Sequence, residues 1–260
     1  NPGVADPVFI AGGPGDDSYS VFTGQERISE AVGGGTDTVD AYFDYLMPDN
    51  VEIMRLHGFA LKGLIRSGAG SIYGNEHDNV FEARNSIVHL FGGAGDDVYI
   101  LDHSTAWIYE SSGEGVDAVT TNASFTLPAG SEVEILRTWG TFTLDPVDLI
   151  GNAFVNILVG NAAANRLDGR GGADTMYGFG GNDVFYVDHG GDWVAELAGG
   201  GYDTVITNVS YALRAGQEIE LLRTWGSMTT GAINLTGNEF NNTLVGNKAR
   251  NVHVGRGVVD

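Results

Sequence analysis

Short oxygen-bearing side chains recur behind glycine turns in this 260-residue chain, nine residues apart. The pattern is clearest from Gly151. The five units that follow place Asn156, Asn165, Asp174, Asp183 and Asp192 at their sixth position, and the first four begin with Gly. Such groups either ligate a hard cation or cap the turn that carries them. The eighth position is apolar throughout: Leu158, Leu167, Met176, Phe185 and Val194. Each unit therefore reads as a glycine-rich turn followed by a three-residue strand with one inward side chain. That is too little apolar surface to fold alone, so the strands must stack in parallel and build one continuous ladder of eighth-position side chains.

If one coil takes two units, sixth positions eighteen residues apart share an edge, placing Asn156 over Asp174, Asn165 over Asp183, and Asp174 over Asp192. Parallel neighbours lie about 4.7 to 4.9 Å apart. Ca²⁺ takes oxygen ligands at about 2.3 to 2.6 Å, half that spacing, so an ion between successive turns fits the lattice. Mg²⁺ demands a more compact octahedron, and zinc would need cysteines, of which there are none, or clustered histidines. The expected ligands are Asp97, Asp174 and Asp183, joined by Asp17, Asp188, Asp192, Glu196 and Asp203. Backbone carbonyls at Gly169, Gly171, Gly172, Gly178, Gly180 and Gly181 would complete the shells, because glycine can turn its carbonyl toward an ion. Asn79, Asn156 and Asn165 read as turn-bonding amides.

A longer period contains the short one. Glu132-Val133-Glu134-Ile135-Leu136-Arg137-Thr138-Trp139-Gly140 returns 86 residues later as Glu218-Ile219-Glu220-Leu221-Leu222-Arg223-Thr224-Trp225-Gly226. Copies are expected near residues 6–59, 60–145, 146–231 and 232–260, the last one broken off at Asp260, as parts of one continuous solenoid. In the copy from residue 60 the counterpart of Asp174 is Val88, within the run Ala83-Arg84-Asn85-Ser86-Ile87-Val88, and that of Asp192 is Ala106. Those turns are expected to hold no ion, leaving roughly two to six sites.

Composition narrows the function classes. The formal charge of −21 repels nucleic acid and anionic lipid, and no apolar run is long enough for a membrane helix. No H-E-x-x-H or G-x-S-x-G motif occurs, and Glu132 with Glu134 and Glu218 with Glu220 are equal duplicated pairs. Active sites need unlike environments, so the chain is not expected to be an enzyme. The repeated Arg137 with Trp139 and Arg223 with Trp225 either cap the core or offer a fork and a ring to an extracellular glycan.

Gly12-Gly13-Pro14-Gly15-Asp16-Asp17-Ser18-Tyr19-Ser20 and Gly92-Gly93-Ala94-Gly95-Asp96-Asp97-Val98-Tyr99-Ile100 resemble the G-G-x-G-x-D-x-U-x repeat of the RTX, or haemolysin-type calcium-binding, family. Gly169 to Tyr177 and Gly178 to Tyr186 resemble its G-x-G-G-x-D variant. The resemblance implies an all-β, parallel β-roll or β-helix solenoid that folds on Ca²⁺. It also implies export from a Gram-negative bacterium by the type I secretion apparatus, without membrane insertion. The chain would then be a calcium-binding fragment of a larger extracellular protein, such as the non-catalytic appendage of a hydrolase or epimerase, or an adhesion module.

Overall fold

The computed structural model describes residues 7–66, 68–84, 86–103, 105–142, 144–226 and 231–255; Asn85 and Asp260 lie outside them. The described residues form strands and turns and no helix. They divide into two compact units, one of residues 1–120 with 130–133, the other of residues 121–129 with 134–260.

In the first unit the chain alternates between two parallel sheets. Ser18–Val21, Thr38–Ala41, Ile53–Leu56, Gly68–Tyr73, Ser86–Phe91 and Trp107–Tyr109 form one, in that spatial order. Tyr45–Leu46, Lys62–Ile65, Val80–Ala83 and Val98–Leu101 pair in sequence in the other. The sheets face each other closely: a methyl group at Gly63 would lie 2.9 Å from Ile72 and 3.2 Å from Met54. Val8–Ala11 and Glu26–Ser29 make a further two-stranded sheet.

The second unit repeats the plan. Ile135–Thr138, Ile157–Val159, Thr175–Tyr177 and Trp193–Ala195 build one sheet. Opposite them run Phe125–Thr126, Asp148–Ile150, Arg166–Asp168, Val184–Val187, Thr204–Thr207, Leu221–Thr224 and Thr243–Val245. Tyr211–Ala212, Leu235–Thr236 and His253–Val254 form a third, short sheet.

The register is the one the nine-residue period demands. Leu158 pairs with Met176, Leu167 with Phe185, and Phe81 with Tyr99, each eighteen residues on. Leu158, Leu167, Met176, Phe185 and Val194 are all fully buried. Each such side chain contributes about 1.5 to 3 kcal/mol, and only stacking can bury them all. The chain is thus all-β, and both units are parallel β-rolls with two strands per coil.

Candidate metal centres

The turn between Phe91 and Val98 carries Gly92 at its first position and Asp97 at its sixth. One coil later Phe91 pairs with Tyr109, so Glu110 stacks on the Gly92 slot. The new turn is two residues longer, and its closing residue, Asp117, sends Oδ1 back to the Asp97 N–H at 2.8 Å. A coil earlier, the Asn79 N–H donates to Asp97 Oδ1 at 2.6 Å. Asn79 and Asp97 are thus each tied down by a side chain from the next coil, so these turns stack in order.

This construction brings Asp97, Glu110 and Asp117 together, with one ligand atom from each lying within 4.8 Å of the others. Among the described residues it occurs twice more, as Asp17-Glu30-Asp37 and Asp183-Glu196-Asp203. In all three the spacing is Gly, then Asp five residues on, Glu after a further thirteen, and Asp after a further seven. Asp183 Oδ1 accepts from Asn165 N–H at 2.6 Å, and Asp203 Oδ1 from Asp183 N–H at 2.8 Å. Asp37 Oδ1 accepts from Asp17 N–H at 2.9 Å.

The oxygens left over point inward. Asp37 Oδ2, Asp97 Oδ2, Asp183 Oδ2, Glu30 Oε1, Glu110 Oε2 and Glu196 Oε2 are buried without a hydrogen-bond partner. Burying unpaired carboxylate oxygens costs free energy that a cation would recover. Glycine makes the room: a methyl group at Gly92 would collide with Asp97 Oδ2 and Glu110 Oε1, and one at Gly178 with Asp183 Oδ2 and Glu196 Oε2. The donor set is all oxygen and triply acidic, which suits Ca²⁺ and not a softer metal.

Electrostatics point the same way. Burial, reinforced by the neighbouring carboxylates, raises Asp97 and Asp183 to about 7 and Glu110 and Glu196 to about 8. Asp203 is raised to about 6 by burial, with Glu220 and Glu218 adding to it. The Tyr99 hydroxyl, pushed far above its ordinary range by burial, stays neutral and donates to Glu110 Oε1.

A looser acidic group lies on the other edge of the second unit. Asp174 Oδ1 accepts from Asn156 N–H at 2.7 Å, and Asp192 Oδ1 from Asp174 N–H at 3.0 Å. Asp192 Oδ2 takes the N–H groups of Asp188 and His189, both at 3.1 Å. Asp174 Oδ2 and Asp188 Oδ1 are buried and unpartnered, and burial raises Asp174 to about 7. In the Glu slot this edge has the buried Val187, so Asp188 replaces the descending glutamate.

The sequence-predicted residues therefore fall into two sets. Asp17, Asp97, Asp183, Glu196 and Asp203 enter the triads, and Asp174, Asp188 and Asp192 form the second group. Gly169 and Gly178 wall the carboxylates, whereas Gly172 and Gly181 supply left-handed turns at φ 119° and 101°. Gly171 and Gly180 lie beside alanine backbone, at Ala153 and Ala162. Asn156 and Asn165 act as turn-bonding amides, their Oδ1 atoms accepting from the Asn152 and Asn161 N–H groups. Sequence reasoning missed Glu30, Asp37, Glu110 and Asp117. The signal was available, since shifting Asp183, Glu196 and Asp203 back by 86 lands on Asp97, Glu110 and Asp117.

Trp139 and Trp225 are half-exposed. Trp225 packs its edge on Tyr186 at 5.1 Å, whose ring also carries the Arg166 guanidinium at 4.6 Å. Arg137 and Arg223 project outward from their strands. The paired glutamates are structural acceptors: Glu220 takes the Asp203 N–H at 2.6 Å, Glu132 takes the Gly113 N–H at 3.1 Å, and Glu218 takes the Gly199 N–H.

Comparison with known proteins identifies four copies of the RTX calcium-binding nonapeptide repeat, over residues 73–102 and 150–194. The chain is also similar to two proteins of Rhizobium meliloti (strain 1021). It is 40% identical over 77 residues to endo-1,3-1,4-beta-glycanase ExsH, covering 30% of this chain and 13% of that protein. It is 34% identical over 67 residues to endo-1,3-1,4-beta-glycanase EglC, covering 26% of this chain and 14% of that protein. The matched stretch is thus about one seventh of each relative's length. No solved structure matches the chain.

Proposed function

We propose that this chain is a non-catalytic calcium-binding module, stabilised by Ca²⁺ held in the three Asp-Glu-Asp triads and beside Asp174, Asp188 and Asp192. The observation that carries this reading is the convergence of buried, unpartnered carboxylate oxygens on glycine-walled cradles. Bound Ca²⁺ would supply the positive charge that these anions lack. The descending Glu30, Glu110 and Glu196 would close each site from the coil above. An ion that binds only the folded state stabilises it by about 4.1 kcal/mol at a thousandfold excess over Kd. Without ions, crowded carboxylates favour an open chain. That behaviour suits export of a larger protein by type I secretion and folding outside the cell, a role supported by the RTX repeats. Circular dichroism and thermal melting, in chelator and then in millimolar Ca²⁺, test the reading. The expected result is a large calcium-dependent gain in β structure or melting temperature; identical melts in both conditions would overturn it.

A second reading, glycan contact by Arg137 with Trp139 and Arg223 with Trp225, draws support from the half-exposed tryptophans and from the two glycanase relatives. A glycan array with Trp139→Ala and Trp225→Ala tests it. Loss of a wild-type signal with calcium-dependent folding intact would support adhesion, and a wild type that binds no glycan would remove it.

A further inference from the structure

The three triads share their carboxylate types; the first is less buried, its Asp17 Oδ2 taking the Gly13 N–H at 3.0 Å, and a ring also differs among them. The eighth-position residue that follows each first Asp is Tyr19, Tyr99 or Phe185, buried in every case. Each ring tip points into its triad's cradle. A methyl group at Gly12 would collide with the Tyr19 hydroxyl, and one at Gly92 with the Tyr99 hydroxyl. At Gly178 the same methyl would lie 2.7 Å from Phe185 Cζ, the atom that would bear the hydroxyl of a tyrosine. The phenol therefore occupies the same space as the ligand oxygens in two triads and is missing from the third.

Its effect on the ligands follows from hydrogen bonding. Tyr99 donates to Glu110 Oε1, leaving Oε2 as that side chain's bare oxygen. The Tyr19 hydroxyl is itself buried without a partner, in the cradle it shares with the bare Glu30 Oε1. In the third triad no side-chain hydroxyl reaches the cradle from this position. Glu196 Oε1 takes the Leu197 N–H at 2.9 Å, as Glu30 Oε2 takes the Ala31 N–H at 3.2 Å, and Glu196 Oε2 lies beside Asp183 Oδ2 in the cradle. A neutral O–H donor offsets carboxylate charge before any cation arrives.

We propose that the ring at this position grades the cation affinity of the triads, so that Asp183-Glu196-Asp203 binds Ca²⁺ more tightly than the two tyrosine-bearing triads. The proposal rests on the reading of the triads as calcium sites. A hydrogen bond to a charged group contributes about 1.5 to 3 kcal/mol. A hydroxyl that donates to a triad carboxylate, as Tyr99 does, should therefore change the affinity of its own site by roughly tenfold or more.

Calorimetric Ca²⁺ titration of the whole chain tests this with Phe185→Tyr, Tyr99→Phe and Tyr19→Phe, each checked for folding by circular dichroism in Ca²⁺. Wild type should show a tight step and a weaker class. Phe185→Tyr should weaken the tight step roughly tenfold, and Tyr99→Phe should tighten one weak step by a similar factor. Should Phe185→Tyr fail to fold, the two tyrosine variants decide alone, because removing a hydroxyl adds no volume. Calcium uptake that is unchanged in Tyr99→Phe and Tyr19→Phe, or weakened in them, would overturn the grading while leaving the calcium reading intact. A wild type that takes up no calcium would overturn that reading and the grading together.

Discussion

The run from Gly68 to Phe91 in the first unit and the run from Phe154 to Tyr177 in the second are 86 residues apart and solve one problem in opposite ways. In the second unit Gly172 and Asp174 make a turn, and the strand that follows is only Thr175–Tyr177. In the first unit Val88 stands in the place of Asp174, and the strand lengthens to Ser86–Phe91, paired along all six residues with Gly68–Tyr73. Asn156 N–H finds its acceptor in the Asp174 carboxylate of the next coil, whereas the corresponding residues of the first unit pair by an ordinary parallel ladder. Backbone groups must be satisfied in either case. What differs is whether the acceptor also leaves a spare anionic oxygen for a cation. An apolar sixth position therefore gives a strand, and an acidic one gives a turn with a spare carboxylate oxygen.

The sharpest way to break this contrast is Val88→Asp, which puts a charge at a fully buried strand position. It should cost more than about 4 kcal/mol in urea denaturation with chelator present. Millimolar Ca²⁺ should not restore it, since Ala106 supplies no second carboxylate. Next in size is Gly178→Ala, whose methyl collides with Asp183, Glu196 and Phe185. A loss of about 3 kcal/mol and of one bound ion is expected, read by denaturation and calorimetric stoichiometry. The reciprocal Asp174→Val should cost about 1 to 2 kcal/mol, because the Asn156 N–H loses its acceptor while the glycines still forbid a longer strand. It should also remove one ion from the titration.

The pH dependence extends the comparison to the triads. Asp97, Glu110, Asp174, Asp183 and Glu196 have folded-state pKa values raised to about 7 or 8, so the native state holds protons that the unfolded chain has released. Their contribution to calcium-free stability is complete below about pH 4 and is lost as pH rises through 7 to 8. With Ca²⁺ the trend reverses, since the ion must displace those protons. Melting temperatures between pH 5 and 9 should therefore fall with pH in chelator and rise with pH in calcium. A chelated form that gains stability from pH 6 to 8 would refute this assignment of charge. The smallest expected effect is Trp225→Ala. Its edge contact with Tyr186 is worth about 1 kcal/mol, and calcium uptake should not change.

The stacking register, the inward eighth position and the acidic edges were legible in the sequence, because a coil of two nine-residue units can bury its single apolar side chains in only one alignment. Asp97, Asp174 and Asp183 could be named for the same reason: they repeat in step with the strands. Glu30, Glu110 and Glu196 could not be placed by that rule, and of the three only Glu196 was named from sequence. Each stands in a slot where the coil below has glycine, and its role depends on reaching down through the space of a missing side chain. The sequence by itself thus determined the lattice, since pairing every coil with the next leaves no freedom in spacing. Tertiary structure alone decided which oxygens meet, which are left without a donor, and where a phenol intrudes among them, because those depend on side chains crossing between coils.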